Sequence, residues 1–120
     1  MAHDCGLIIN PDGLKNQIEG NVIQSLSRAL KEEVRFDEAG VTSTDWQSYP
    51  ILTFSEVPEV DVVLLNRPDQ PATGAGEPST VTTAPAVANA IFDAAGVRLR
   101  QVPFTPGRVK IASGQGSVHP

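Results

Sequence analysis

Apolar residues recur at every fourth position along one stretch near the start of the chain. They are Leu14, Ile18, Val22, Leu26 and Leu30. Because an α-helix completes a turn in about 3.6 residues, this spacing places the side chains along one stripe of a helix. The pattern predicts a helix over about residues 12–31, with Asn10 or Asp12 as its N-terminal cap and Pro11 in its first turn.

A second face of the same predicted helix carries amides. Gln17, Asn21 and Gln24 lie there together with Gly20. Amide side chains both donate and accept hydrogen bonds, so this face suits a neutral or polar ligand.

Elsewhere in the chain, short apolar runs alternate with turn residues. Strands are predicted at 3–9, 33–37, 41–43 and 57–65, and a further strand at 97–102. Segments 33–37 and 41–43 form a hairpin, and the β-branched run 57–65 is expected to be well buried. Trp46 and Tyr49 are expected to pack in the core, with their polar atoms bonded to backbone.

A second helix is predicted over 84–95 from the spacing of its apolar residues. Thr82 or Thr83 caps it, Pro85 suits its first turn, and Gly96 ends it. In an alternative interpretation an earlier turn precedes this helix and the proline is a kink. A last helical turn is expected to start at Thr105-Pro106 and to run through Val109 and Ile111.

This order of elements predicts an α+β fold in which two main helices pack on one face of a mixed β-sheet. A single domain is expected to span residues 1–112. The small, polar tail 113–120 is predicted to be disordered, with His119 as a residue of a frayed end rather than a ligand.

Charge and cysteine content exclude several classes of function. The net charge is −5 and the sequence contains no basic cluster, so nucleic acid is a poor partner. Cys5 is the single cysteine, and no spaced Cys/His set supplies ligands for zinc or an iron–sulfur cluster. No apolar run is long enough for a membrane span and the N-terminus does not look like a signal peptide, which makes the cytoplasm the default location.

The most suggestive loop is Gly74-Ala75-Gly76-Glu77-Pro78, which sets one carboxylate between backbone-permissive glycines and a proline. Glu77 is expected at a loop-to-helix junction. The loop lacks the lysine of a phosphate loop, and the chain has no GxSxG motif for a nucleophilic serine. What the residues allow is a single general base in a tight loop, and the plainer alternative is a surface turn with a solvated glutamate.

Four blocks in this order resemble a known family. They are AHDCGLIINPDGLKNQIEGNVIQSLSRALKEEVRFDEAGV, YPILTFSEVPEVDVVLL, RPDQPATGAGEP and VANAIFDAAGVRLRQVPFTPGRV. Together they resemble the C-terminal end of the molybdopterin-binding large subunit of the xanthine dehydrogenase and aldehyde oxidase family. The likeness is greatest to its isoquinoline-oxidoreductase-like or nicotinate-dehydrogenase-like branch, and it covers about residues 2–111.

The resemblance implies roles for individual residues. Glu77 corresponds to the family's catalytic base, which acts in the oxidative hydroxylation of an aldehyde or N-heterocycle. The family's N-Q-[IV]-E-G segment contributes to the pterin pocket, and Gln17 matches the residue expected to bond the pterin. The full set of cofactor-binding residues implied is Gln17, Asn16, Glu19, Gly20, Gly74 and Gly76, and the chain is expected to supply no metal ligand.

The resemblance also implies a cofactor and partners. The cofactor is molybdopterin cytosine dinucleotide with molybdenum, held only in the full assembly. The partners are the remainder of the large subunit, an iron–sulfur subunit and a small aromatic or aldehyde substrate, and self-association through exposed apolar surface is expected for the chain alone. A periplasmic location stays open if a partner is exported.

The hydroxyl-rich segment 79–83 departs from the family's small apolar run after the Glu-Pro pair. The family's large subunit is also several times longer than this chain. A second hypothesis therefore stands beside the enzyme segment, in which the chain is a non-catalytic module of the same fold that acts as a structural or binding unit. Exposed apolar surface distinguishes the two, because a segment of a larger subunit needs an apolar patch where the missing parts dock.

Overall fold

The computed structural model describes residues 1–114, so the predicted tail beyond Gly114, including His119, lies outside the described residues. The described residues form three α-helices: α1 (Pro11–Leu30), α2 (Thr80–Ala95) and α3 (Pro106–Ala112). The strands are β1 (Ala2–Asp4), β2 (Phe36–Asp37), β3 (Gly40–Val41) and β4 (Val63–Leu65). A 3₁₀ turn spans Phe54–Glu56. The α+β class is thereby confirmed.

Helix α1 follows the prediction closely. Of the two candidate caps, Asn10 is the one used, since its Oδ1 accepts a hydrogen bond of 2.9 Å from the Gly13 amide and Pro11 occupies the first helical position. Leu14 and Ile18 are buried, and the later members of the apolar stripe are half-buried. The buried side also includes Asn21, Ser25, Ser27 and Ala29. Small polar residues thus let another segment approach this helix closely.

Helix α2 begins earlier than its apolar spacing suggested. Its first residue is Thr80 and Ser79 precedes it, so the predicted caps Thr82 and Thr83 are wrong and the alternative with an extra turn is confirmed. Pro85 lies inside the helix, where it lacks the amide hydrogen for one backbone bond. Gly96 ends the helix in a left-handed conformation with φ of 68°, as predicted, and its amide donates to the Phe92 carbonyl at 2.8 Å.

The strands are shorter than predicted and form two separate pairs. Strands β1 and β4 pair in parallel, with Ala2 opposite Val63, and β2 and β3 form the predicted antiparallel hairpin. The predicted strand at 97–102 is wrong, since that segment has no strand partner in the described structure. Its alternating pattern satisfied the local requirement of a strand, but a strand forms only where a neighbour completes its hydrogen bonds.

The core is small and lies between β1, α1 and the loop after β4. Cys5, Leu14 and Ile18 form its buried cluster. At the far end of α1, the Phe104 amide donates to the Ala29 carbonyl at 2.6 Å and the phenyl ring is buried. The part of the chain that the structure describes contains no helix long and apolar enough to cross a bilayer.

Several residues expected in the core are at the surface. Trp46 is 75% exposed, and Tyr49 is half-buried with its hydroxyl bonded to a Glu32 carboxylate oxygen at 2.9 Å, not to backbone. Val63 and Leu65 are 56% and 48% exposed, so the prediction of a well-buried strand is also wrong. A parallel pair of two strands has no layer on its outer face, and apolar side chains there stay in contact with solvent.

Candidate functional site

The glycine-rich loop that precedes α2 is fixed to two other elements. The Thr73 amide and hydroxyl both donate to the carbonyl of Cys5, at 2.9 and 3.2 Å. Further along, Asn21 of α1 donates from Nδ2 to the Gly76 carbonyl at 2.6 Å. The loop is therefore held between the end of β1 and the amide-bearing face of α1, although it has no regular secondary structure.

Glu77 lies three residues before α2, so the predicted loop-to-helix junction is confirmed. Its carbonyl accepts from both the amide and the hydroxyl of Thr80, at 3.0 and 2.8 Å. Pro78 restricts its backbone further, because a residue before proline is confined to a narrower range of dihedral angles. The side chain of Glu77 is exposed and has no hydrogen-bond or ion-pair partner within residues 1–114. A constrained backbone thus carries a carboxylate that is free to meet a group outside the chain.

The glycines of this loop are not required by the chain's own packing. Gly74 and Gly76 have ordinary negative or extended backbone angles, and a Cβ on either would meet no atom within 4 Å. Gly6 is different, because its φ is 77° and a Cβ there would collide with the Pro71 carbonyl. Neither loop glycine therefore uses the positive φ that glycine permits. Because these glycines have no side chains, a group outside the chain can contact the backbone there.

Gln17 and Gly76 line the same cleft, which has a volume of about 280 Å³. The cleft lies between the start of α1, the segment 7–10 after β1 and the loop that leads to Glu77. It offers the Gln17 amide as donor and acceptor and the backbone of the loop as further polar groups. The exposed amide of Gln17 and the bare glycine therefore face one space.

The other residues implied by the resemblance lie outside this cleft. Asn16 and Gly20 are exposed, and a Cβ at Gly20 would meet no atom within 4 Å. Glu19 forms an exposed ion pair of 3.6 Å with Lys15. It lies two residues after Gln17, which turns it about 200° around the helix from the amide. Gly74 belongs to the loop but does not contribute to the cleft wall.

Asn21 has a structural role that the sequence did not assign. Its spacing places it on the polar face of α1, but its hydrogen bond to Gly76 joins residues 55 apart in sequence. The spacing of four between Gln17 and Asn21 indicated that the two amides share a helix face. No sequence pattern indicated that one of them faces the loop of Glu77.

The shifts of pKa in the described structure lie away from this cleft. Lys31 donates to Glu56 and lowers the pKa of that carboxyl to about 2, with help from Thr53. The Glu32 carboxylate raises the pKa of Tyr49, and hydrogen bonds from Ser48 lower the pKa of Asp45. Asp45 and Glu56 are exposed, Tyr49 is half-buried, and all three belong to the connection that follows α1.

The cleft offers hydrogen-bonding groups beside mostly apolar side chains, a lining that suits an organic group better than a metal ion. Within residues 1–114 no three His, Cys, Asp or Glu side chains come together as a set of metal ligands. The bare backbone at Gly76 and the Gln17 amide instead present hydrogen-bonding groups around a space that a Cβ would have narrowed. A cofactor that carries its own metal could be held here through its organic part.

Comparison with known proteins defines the class. Residues 1–58 match the family described as a molybdopterin cofactor-binding domain. The chain is 53% identical over 114 residues to a subunit of nicotinate dehydrogenase from Pseudomonas putida, an alignment that covers 95% of this chain and 10% of the relative. It is 36% identical over 105 residues to the beta subunit of isoquinoline 1-oxidoreductase from Brevundimonas diminuta, covering 88% of this chain and 13% of that one.

The fold agrees with the sequence comparison. The structure of quinoline 2-oxidoreductase from Pseudomonas putida 86 superposes with a TM-score of 0.79 and 29% identity, over 95% of this chain and 16% of that chain. The chain therefore belongs to the xanthine dehydrogenase and aldehyde oxidase family of molybdopterin-binding subunits. It spans between 10% and 16% of the length of the relatives named above.

Proposed function

We propose that the chain acts as a segment of a molybdenum hydroxylase large subunit, in which Glu77 is the catalytic base and Gln17 bonds the pterin. The observation that carries the proposal is the cleft that Gln17 shares with Gly76, the residue next to Glu77. Two residues 59 positions apart in the chain, each implied by the family resemblance, thus border one space.

The chemistry of this chain's own residues follows from that arrangement. The bound cofactor would supply the two-electron oxidation of the substrate. Glu77 would take up a proton on its carboxylate, and the constrained backbone on either side limits the positions that the carboxylate reaches. A carboxylate from which other polypeptide excludes water is a more effective general base than a solvated one.

The remaining residues have supporting roles in the proposal. Gly76 and Gly74 let the cofactor approach the backbone, and Asn16, Glu19 and Gly20 extend the polar surface of α1 beyond the cleft. The cofactor is proposed in its cytosine dinucleotide form. The substrate is proposed to be an aldehyde or an N-heterocycle, by analogy with relatives named for nicotinate and isoquinoline oxidation.

The exposed apolar surface supports assembly with other polypeptide. Large side chains are exposed along much of the chain, among them Phe54 at 97%, Phe36 at 77% and Val81 at 72%. A closed, independent module would expose less, because contiguous apolar surface on a monomer favours association. The proposed partners are the rest of the large subunit and an iron–sulfur subunit, in the cytoplasm or in the periplasm if the assembly is exported.

The test is coexpression of the chain with the rest of a related large subunit and its iron–sulfur partner, followed by metal analysis and assay. We expect the complex to retain molybdenum and to oxidise an N-heterocycle or aldehyde. Glu77→Gln should leave the molybdenum content unchanged and lower turnover by about 10²-fold or more, since general-base catalysis contributes roughly that factor.

The matched control is Glu59→Gln, the same change at an exposed glutamate of another segment. It should not alter turnover. A stable monomer that recruits neither partner nor metal would instead favour the non-catalytic module, and full activity of Glu77→Gln would reject the assignment of the base.

A further inference from the structure

Asn21 has a buried amide side chain that donates its hydrogen bond to the glycine-rich loop before α2 and not to its own helix. The residue is 7% exposed, and its Nδ2 donates to the Gly76 carbonyl at 2.6 Å. A buried amide without a hydrogen bond destabilises a fold by several times the net gain from a normal bond. The loop conformation that supplies the Gly76 carbonyl is therefore favoured over conformations that leave Asn21 unpaired.

The acceptor of this bond determines what the bond constrains. The Gly76 carbonyl belongs to the planar peptide unit that ends at the Cα of Glu77. Orienting that carbonyl toward α1 therefore orients the plane from which Glu77 projects. The next peptide unit begins with the Glu77 carbonyl, which Thr80 holds through two hydrogen bonds. Both peptide planes that flank Glu77 are thus fixed, one by α1 and one by α2.

Helix α1 holds Asn21 in a fixed position, because residues of the preceding turns pack in the core. Ile18, three residues before Asn21, is fully buried, and Leu14 belongs to the same core cluster. Gln17 lies one turn before Asn21, so about 6 Å of helix rise separates them. The same rigid element therefore carries the amide that faces the cleft and the amide that orients the loop of Glu77.

We infer that Asn21 is a positioning residue, which sets the place of the Glu77 carboxylate relative to Gln17; the inference rests on the proposed role of Glu77. It does not touch substrate or cofactor. Its loss would leave the cleft intact and Glu77 present, but it would allow the peptide between Gly76 and Glu77 to rotate and so displace the carboxylate.

The first experiment measures the loop directly, by hydrogen–deuterium exchange of the 120-residue chain. Asn21→Leu removes the donor at similar volume, and Asn21→Asp keeps the shape but replaces the donor with an acceptor. We expect exchange of the amides of residues 73–77 to become about 2- to 10-fold faster in both variants, the range set by one hydrogen bond. Gln24→Leu, the same change at an exposed amide three residues further along α1, should leave it unchanged.

The second experiment measures turnover per bound molybdenum in the coexpressed complex. We expect Asn21→Leu and Asn21→Asp to lower kcat by about 10- to 100-fold, the effect of misplacing a reacting group by about 1 Å. The substrate KM should stay within about twofold, since the lost interaction affects only the transition state. A purely structural defect would lower molybdenum content and leave kcat per molybdenum unchanged.

The outcomes separate the two proposals. If Glu77→Gln retains full turnover, the proposed function fails, whatever Asn21 does. If Glu77→Gln is inactive but both Asn21 variants show wild-type exchange in 73–77 or wild-type kcat per molybdenum, the positioning role is overturned. If one Asn21 variant does not fold, the other is decided by the same two measurements.

Discussion

At the scale of single residues, glycine occupies two positions in this chain for different physical reasons. Gly6 combines a φ of 77° with a backbone carbonyl next to the place of a Cβ. Gly76 has neither feature, and open space surrounds the place of its Cβ. The chain's own fold therefore requires the first glycine, whereas only a contact outside the chain would require the second.

Substitution by alanine should separate these two reasons. Gly6→Ala is expected to destabilise the chain by about 1–3 kcal/mol, from the left-handed backbone and the collision with Pro71. Gly76→Ala should change the free energy of unfolding by less than about 0.5 kcal/mol but should lower molybdenum retention in the complex. Urea unfolding and metal analysis check the two parts. A large loss of stability in Gly76→Ala would show that the fold itself needs this glycine.

At the scale of elements, the first helix was the most predictable part of the chain. Its apolar spacing, its cap and its end are set by residues within a few positions of one another, and local sequence contains that information. The strands were less predictable, because hydrogen bonds to a distant partner decide where a strand starts and stops. The alternating segment 97–102 found no such partner in the described structure.

The cap of α1 provides a test at this scale. Asn10→Ala should destabilise the chain by about 1 kcal/mol, since it removes the side-chain acceptor of the Gly13 amide, which has no partner within the helix. Asp12→Ala, measured at high ionic strength, is the matched control, because the described structure gives Asp12 no capping bond and salt screens its interaction with the helix dipole. Thermal or urea unfolding measures both. Equal losses in the two variants would contradict the assignment of Asn10 as the cap.

At the scale of the whole molecule, the chain is extended and has little interior. Its radius of gyration is 17.9 Å and its dimensions are 62 × 36 × 26 Å. A compact domain of this length would have a radius of gyration of about 14 Å. The buried apolar core contains only Cys5, Leu14, Ile18, Ala29 and Phe104 among the described residues. Such a shape fits a piece that completes its core against other polypeptide.

We expect the isolated chain to self-associate through its exposed apolar side chains. Phe36 and Phe54 are two of its most exposed apolar side chains, and serine at both positions should weaken association by about tenfold or more, since burial of each ring contributes roughly 1.5–3 kcal/mol. Sedimentation velocity over a range of concentrations measures this. Ser43→Ala is a control outside the apolar set. A monomeric wild-type chain at all concentrations would support the independent module instead.

The sequence alone determined the α+β class, the course of α1, the hairpin, the end of α2 at Gly96 and the family. These depend on local spacing, on capping residues or on short sequence motifs. Through the resemblance, it also indicated Gln17 and Glu77 as residues of one proposed site.

Only the tertiary structure decided how the pieces meet. It brought Gln17 and Gly76 to one cleft, paired Asn21 with the Gly76 carbonyl, and left Trp46 and the outer face of β4 in solvent. The physical reason is that these facts depend on contacts between residues far apart in the chain, or on the absence of a covering layer. No local pattern of side chains contains either kind of information.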